Sequence, residues 1–293
     1  MSASIISRAA DALISPGRRD IAIAEIVLFS IIHVTQIPLR YMQEWRYWHH
    51  DKRQSPGRCY FYSWWSMVGL LAQIRIASSA MILSTSHPNK SMFIAESALQ
   101  NVGLSPLLFE VSLVLLACGQ SGEFGPGKSK YSKPLRFALH GFRFPIVIAI
   151  VLAIVGGIID NPTLGKVGSA ILIVIFVFVC GLVVWLAVNS RSTLPVEGHH
   201  GILIVLLALP FLLIRIVYFL LLEYGSPKFN PATGSVSALA GMGLLMEIFV
   251  VTLLLTARAV AMPICLGHTK QHMESDDEDQ AVNTETPYNQ SLA

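Results

Sequence analysis

Residues 167–188 read VGSAILIVIFVFVCGLVVWLAV, and no charged side chain interrupts them. Roughly twenty helical residues cross about 30 Å of hydrocarbon, so this run is long enough to span a bilayer. Lipid offers the backbone no hydrogen-bond partners, which makes the run helical. Nothing in the chain shows the dyad alternation of a barrel strand.

Working outward from that run, the same reading places seven crossings at about 21–39, 61–86, 93–118, 136–159, 165–189, 202–222 and 236–260. The whole chain agrees, being 53% hydrophobic and only 13% charged. A soluble domain is normally about a quarter charged. The expected fold is all-α, a polytopic seven-transmembrane-helix bundle over 21–261 with the lipid bilayer as its main solvent. A short extracytoplasmic N-terminus, 1–20, precedes it, and it has no apolar core like that of a cleavable signal peptide. An acidic tail, 262–293, comes after it and is read as disordered.

Charge orients the bundle. Residues 1–261 carry a net +8 and the tail a net −5. Lysine and arginine concentrate after runs one, three and five (Arg40, Arg46, Lys52, Arg53, Arg58, Lys128, Lys130, Lys133, Arg191), while the alternate loops hold only Lys90, Lys166 and Lys228. The positive-inside rule puts the first set and the tail in the cytoplasm and the N-terminus outside. Arg18 and Arg19 oppose that assignment. The first inner loop, YMQEWRYWHHDKRQSPGRCYFYSWW, reads as an aromatic anchor at the headgroups. Its basic residues suit anionic lipid rather than nucleic acid.

Prolines fall inside three runs, at Pro106, Pro145 and Pro210, and each is expected to kink its helix. Four cysteines show no pairing pattern on a common face. Cys265 is a palmitoylation candidate and Ser275 an acidic-directed phosphorylation candidate. No lysine sits deep in a run to carry a retinal Schiff base, and the histidine pairs lack the spacing of a metal set. No catalytic constellation stands out, so neither an enzyme nor a cofactor is expected.

The informative residues are charges within the apolar runs: Glu25, Arg75, Glu110, Arg143, Arg215 and Glu247, with His33 and His140 beside them. Each costs about 2.5–3.5 kcal/mol at a helix centre on insertion scales, so each needs a partner. At about 1.5 Å rise per residue, Arg75, Arg215, Glu247 and Glu25 fall in the outer half. Glu110 and Arg143 fall together in the inner half, with His140 one turn from Arg143. Two groups result: an outer charge network of Glu25, Arg75, Arg215 and Glu247, and an inner Glu110–Arg143–His140 set. The outer network reads either as glue that fixes helix order or as the site of a small polar or anionic ligand.

Several segments resemble one family when taken together: IRIASS (74–79), GLSPLL (103–108), AIVGG (153–157), RIVY (215–218) and LMEIFVV (245–251). The chain is similar over 21–261 to a group of fungal seven-helix integral membrane proteins known as a domain of unknown function. That resemblance implies a seven-helix bundle and points to Arg75, Pro106, Arg215, Tyr218 and Glu247. The functional expectation is a receptor-like sensor with a polar outer-half cavity and a tail that contacts a cytoplasmic partner. The alternatives are a small-solute transporter of three-plus-one-plus-three helices and a ligand-free scaffold.

Overall fold

The first apolar run extends well past its hydrophobic stretch: helix α1 is continuous from Pro16 to His49, with Pro38 inside it. The structure is a computed structural model, and it describes residues 16–49, 55–84, 99, 103–120, 129–159, 162–224 and 236–262. The chain divides into two units, Met1–Met262 and Pro263–Ala293. The acidic tail with Cys265 and Ser275 lies outside the described residues, as does most of the N-terminal segment.

After α1 come α2 (Pro56–Trp64), α3 (Met67–Ser84), α4 (Leu104–Gly119), α5 (Lys133–Gly141), α6 (Arg143–Ile159), α7 (Pro162–Thr193) and α8 (Val196–Tyr224). The last helix, α9, spans Val236–Ala261 and is π-helical over Leu239–Leu245. Among the described residues there is no strand. Among the described residues six helical stretches are long and apolar enough to cross a membrane, one of them, Lys133–Leu152, running from α5 into α6, and α4 is a shorter apolar helix of 16 residues. This is the architecture of a multi-pass membrane protein.

Three boundaries differ from the sequence expectation, each for a local reason. The run at 61–86 is two helices, because α2 ends at Trp64 and α3 begins at Met67. Ser66 sits between them and accepts the Gly69 amide at 3.0 Å, as an N-cap does. The third run, expected over 93–118, is described as a helix only from Leu104, and 93–98 lies outside the described residues. At 16 residues α4 is about 24 Å long, short of the hydrocarbon thickness. The fourth run breaks at Phe142 into α5 and α6. Pro106 and Pro145 occupy the first turns of α4 and α6, where a missing amide costs nothing, so they start helices rather than kink them. Pro210 and Pro38 are the interior prolines.

Helix α4 is the most enclosed element. Leu104, Leu107, Leu108, Val111, Val114 and Leu115 are all buried, as are its serines and Glu110. A helix covered all round belongs at the centre of a bundle. It packs on α3, α6, α8 and α9. Where α4 crosses α8 and α9, Gly201 leaves no room for a Cβ: one would lie 2.7 Å from Cys118 Sγ and 3.2 Å from the Ala257 carbonyl. Small residues let membrane helices approach this closely. Around the centre run α1 against α3, α6 against α7, α7 against α8, and α8 against α9.

Helix α1 is polar inside and apolar outside. Arg18, Ala22, Glu25, Phe29, Gln36, Arg40 and Gln43 are buried, and their steps of three, four or seven residues put them on one face. Ile23, Val27, Ile31 and Val34 are exposed on the other, as befits a lipid-facing surface. At the α1–α2–α3 corner, Gln36 donates to the Ser63 carbonyl at 3.3 Å and accepts from Ser66 Oγ at 2.6 Å. Beyond that corner α2 exposes Tyr60, Phe61, Tyr62, Trp64 and Trp65, with the Arg58 guanidinium 4.7 Å from the Trp48 ring centroid.

Candidate functional site

Two ion networks lie inside the bundle, each built on one glutamate. Glu247 comes two residues after the π-helical turn of α9, and its carboxylate is 1% exposed. Arg75 of α3 grips it with two parallel bonds, Nε to Oε1 at 2.7 Å and Nη2 to Oε2 at 2.6 Å. Arg215 of α8 adds a single contact, Nη2 to Oε2 at 3.1 Å. Its Nε is buried without a hydrogen-bond partner. The Tyr218 ring, fully enclosed, lies beneath the Arg215 guanidinium at 5.6 Å. Glu25 of α1 accepts a short hydrogen bond from Ser79 Oγ, one turn from Arg75. Two arginines therefore face two carboxylates, and the buried Arg18 of α1 acts on Tyr218 beside them.

The space is tight. A Cβ on Gly103 would lie 3.0 Å from Arg75 Cζ and closer still to Nη2. Only a glycine lets the guanidinium rest on the start of α4. Arg75, Arg215, Glu25 and Glu247 are all 5% exposed or less, so they fill a seam between helices instead of lining an open cavity. A cavity of about 540 Å³ lies elsewhere, an apolar groove between α6 and α7 near Phe142, Val174 and Phe178.

The second network centres on Glu110 of α4. Arg40 of α1 donates from Nη2 to Oε1 at 2.9 Å and to Oε2 at 2.8 Å. Arg258 of α9 reaches Oε1 from Nη1 at 3.3 Å. Gln43 of α1 closes the group: its Oε1 accepts from Arg258 Nε at 2.6 Å and its Nε2 donates to the Arg258 carbonyl at 3.3 Å. Glu25 and Arg40 stand fifteen positions apart on α1, about 22 Å along the axis, so the two networks occupy different depths.

Glu110 and Arg143, expected together from the sequence, act on each other without a hydrogen bond between them. Arg143 donates from Nε to Ser112 Oγ at 2.7 Å and stacks over Phe109, whereas Glu110 is taken by Arg40 and Arg258. Glu110 and Ser112 are two positions apart on α4, about 200° around the helix, so they face different neighbours. His140 is exposed on α5 and joins neither network. His33 packs edge-on against Trp64 at 4.9 Å.

Residues 16–261 match a family described as a domain of unknown function, DUF7702. The chain belongs to that family. No curated protein and no solved structure matches it. The DUF7702 match opens where α1 opens and closes where α9 closes, so both networks lie within it. Four members of those networks, Ser79, Arg40, Gln43 and Arg258, escaped the sequence reading. One signal was present for Arg258: it lies eleven residues after Glu247, three helical turns on, and so shares its face. For the DUF7702 fold, no group of three or more potential metal ligands occurs among the described residues.

Proposed function

We propose that the protein is a receptor-like membrane sensor, built as a seven-crossing bundle in which α4 makes the seventh crossing. Its all-round burial supports a central, membrane-embedded place for α4. The basic loops support a cytoplasmic side at the α2 end, with the N-terminus outside and the acidic tail as the contact for a cytoplasmic partner.

One observation carries the reading. Glu247 is a single carboxylate shared by arginines from two other helices, directly after a π-helical turn. π-helical turns inside α-helices recur at functional sites. Returning such a turn to α geometry rotates the remainder of the helix, which would alter how Glu247 is divided between Arg75 and Arg215. A small anionic or polar ligand that competes for Arg215 would bias that choice, because Arg215 holds one contact and keeps a free Nε. Spin labels at lipid-facing Val27 and Leu207, with the protein in nanodiscs, test this. The sensor reading expects one distance population in the wild type and a second in Glu247→Gln. A single unchanged distance with lower stability would favour a fixed scaffold and overturn the proposal.

The two depths of charge favour one second reading, a small-solute transporter closed at two ionic layers. Solute flux in proteoliposomes, abolished by both Glu247→Gln and Glu110→Gln, separates it from the sensor, which carries none.

A further inference from the structure

The two networks share a plan, two arginines on one glutamate, but differ in whether a second buried carboxylate joins them. Glu25 supplies the Glu247 network with a second carboxylate. Beside Glu110 no second carboxylate is fully buried among the described residues: Arg40, Arg258 and Glu110 are 5%, 7% and 1% exposed, and these three leave one positive charge in excess. Glu44, only half-buried, accepts from Trp48 Nε1 at 3.3 Å and attracts Arg258 without a hydrogen bond to it, so it offsets the arginines in part and adds no fully buried charge. Arg143 lies on another face of α4, against Ser112. A buried, uncompensated charge is costly, so an excess of this kind calls for an anion.

The donors to receive one are in place. Arg40 Nε is buried without a partner. Arg258 Nε is met by a neutral acceptor, the Gln43 amide oxygen at 2.6 Å, which stands where an anionic oxygen would bind more strongly. At this level α1 and α9 meet through the side chains of Gln43 and Arg258, so an entering group has two hydrogen bonds to displace there. The site is also one turn from the α1–α2–α3 corner, where the exposed rings of α2 mark headgroup depth.

We propose that Arg40 and Arg258 form an anion site that takes a phosphate group, one oxygen replacing the Gln43 amide on Arg258 and another meeting Arg40 Nε. The phosphate comes either from a free oxyanion or from an anionic lipid headgroup. This site is separate from the Glu247 network and stands whether the protein senses or transports.

The test uses the full chain in an uncharged maltoside detergent, at ionic strength held constant with sodium chloride, with thermal unfolding as readout. Inorganic phosphate is titrated in one arm, and phosphatidic acid is added to the micelles in the other. A saturable rise in Tm with inorganic phosphate supports the site with a free oxyanion as ligand. A rise with phosphatidic acid alone supports it with a headgroup as ligand. No rise in either arm overturns the proposal. Gln43→Glu gives an independent check, since it places a permanent carboxylate against Arg258. The variant is expected to unfold at a higher temperature than the wild type without phosphate and to lose the phosphate response. A lower Tm, or a response equal to that of the wild type, would sink the assignment.

Discussion

Arg75 and Glu247 stand 172 positions apart in the chain and meet fork to fork, with both hydrogen bonds at 2.7 Å or less. The guanidinium rests on Gly103, and the carboxylate is shared with Arg215. One ion pair thus ties α3 to α9, while α4 and α8 lean on it.

Breaking this pair from either side should cost about 3–5 kcal/mol, because the surviving charge stays buried without its partner. Arg75→Ala and Glu247→Ala are each expected to lose that much in unfolding by mixed micelles. The double variant should lose clearly less than the sum. Arg75→Lys should recover only part of the stability, since an ammonium cannot form the two parallel bonds. Additive losses would remove the coupling.

Gly103→Ala tests the close approach. The added methyl falls on the Arg75 guanidinium, and the expected loss is about 1–3 kcal/mol. Gly181→Ala in the middle of α7 is the control: a Cβ there meets nothing within 4 Å, and helix propensity favours it by about 1 kcal/mol. Thermal unfolding of the two variants should shift in opposite directions.

At Glu110 the two candidate partners should separate in a double-mutant cycle. Arg40 makes two bonds to the carboxylate, and Arg143 bonds Ser112 instead. A coupling energy of about 1–3 kcal/mol is expected for Arg40→Ala with Glu110→Ala, and a smaller one for Arg143→Ala with Glu110→Ala, since Arg143 acts on the carboxylate without a hydrogen bond to it. Equal couplings would contradict the geometry.

Cys59, in the short helix α2, is fully buried. Burial first, and the nearby Glu44 carboxylate second, hold its thiol above the ordinary range. A raised thiol pKa leaves less thiolate at any pH below it, so alkylation should be slow at neutral pH and quicken only as the solution becomes alkaline. Maleimide labelling mapped by mass spectrometry should find Cys59 largely unmodified in the folded protein and modified on unfolding. Rapid labelling at neutral pH would place the thiol in the open.

Much of this was readable along the chain. The runs around α7 and α8 had to be helices of membrane-spanning length, and a charge as deep as Arg75 had to find an acid at its own level. Glu247 was such an acid, by counting residues from the ends of the runs. Arg40 and Arg258 were missed because each sits near the end of an apolar run, where hydropathy assigns it to headgroups. Helix α1 in fact continues to His49, which turns Arg40 into an interior residue. Arg143 was matched to Glu110 on depth alone, and depth does not say which way a side chain points around its helix.

The sequence by itself determined which segments are helical and apolar, how many charges they carry and how far along its run each mid-run charge lies. These depend on transfer energies and on a fixed rise per residue, both of which run along one axis. Only the tertiary structure decided that Gln43 stands against Arg258, that Gly103 carries the weight of Arg75, and that one network has a second buried carboxylate while the other does not. Those outcomes depend on how each helix is rotated and which helix lies beside it, and packing among all of them together sets both.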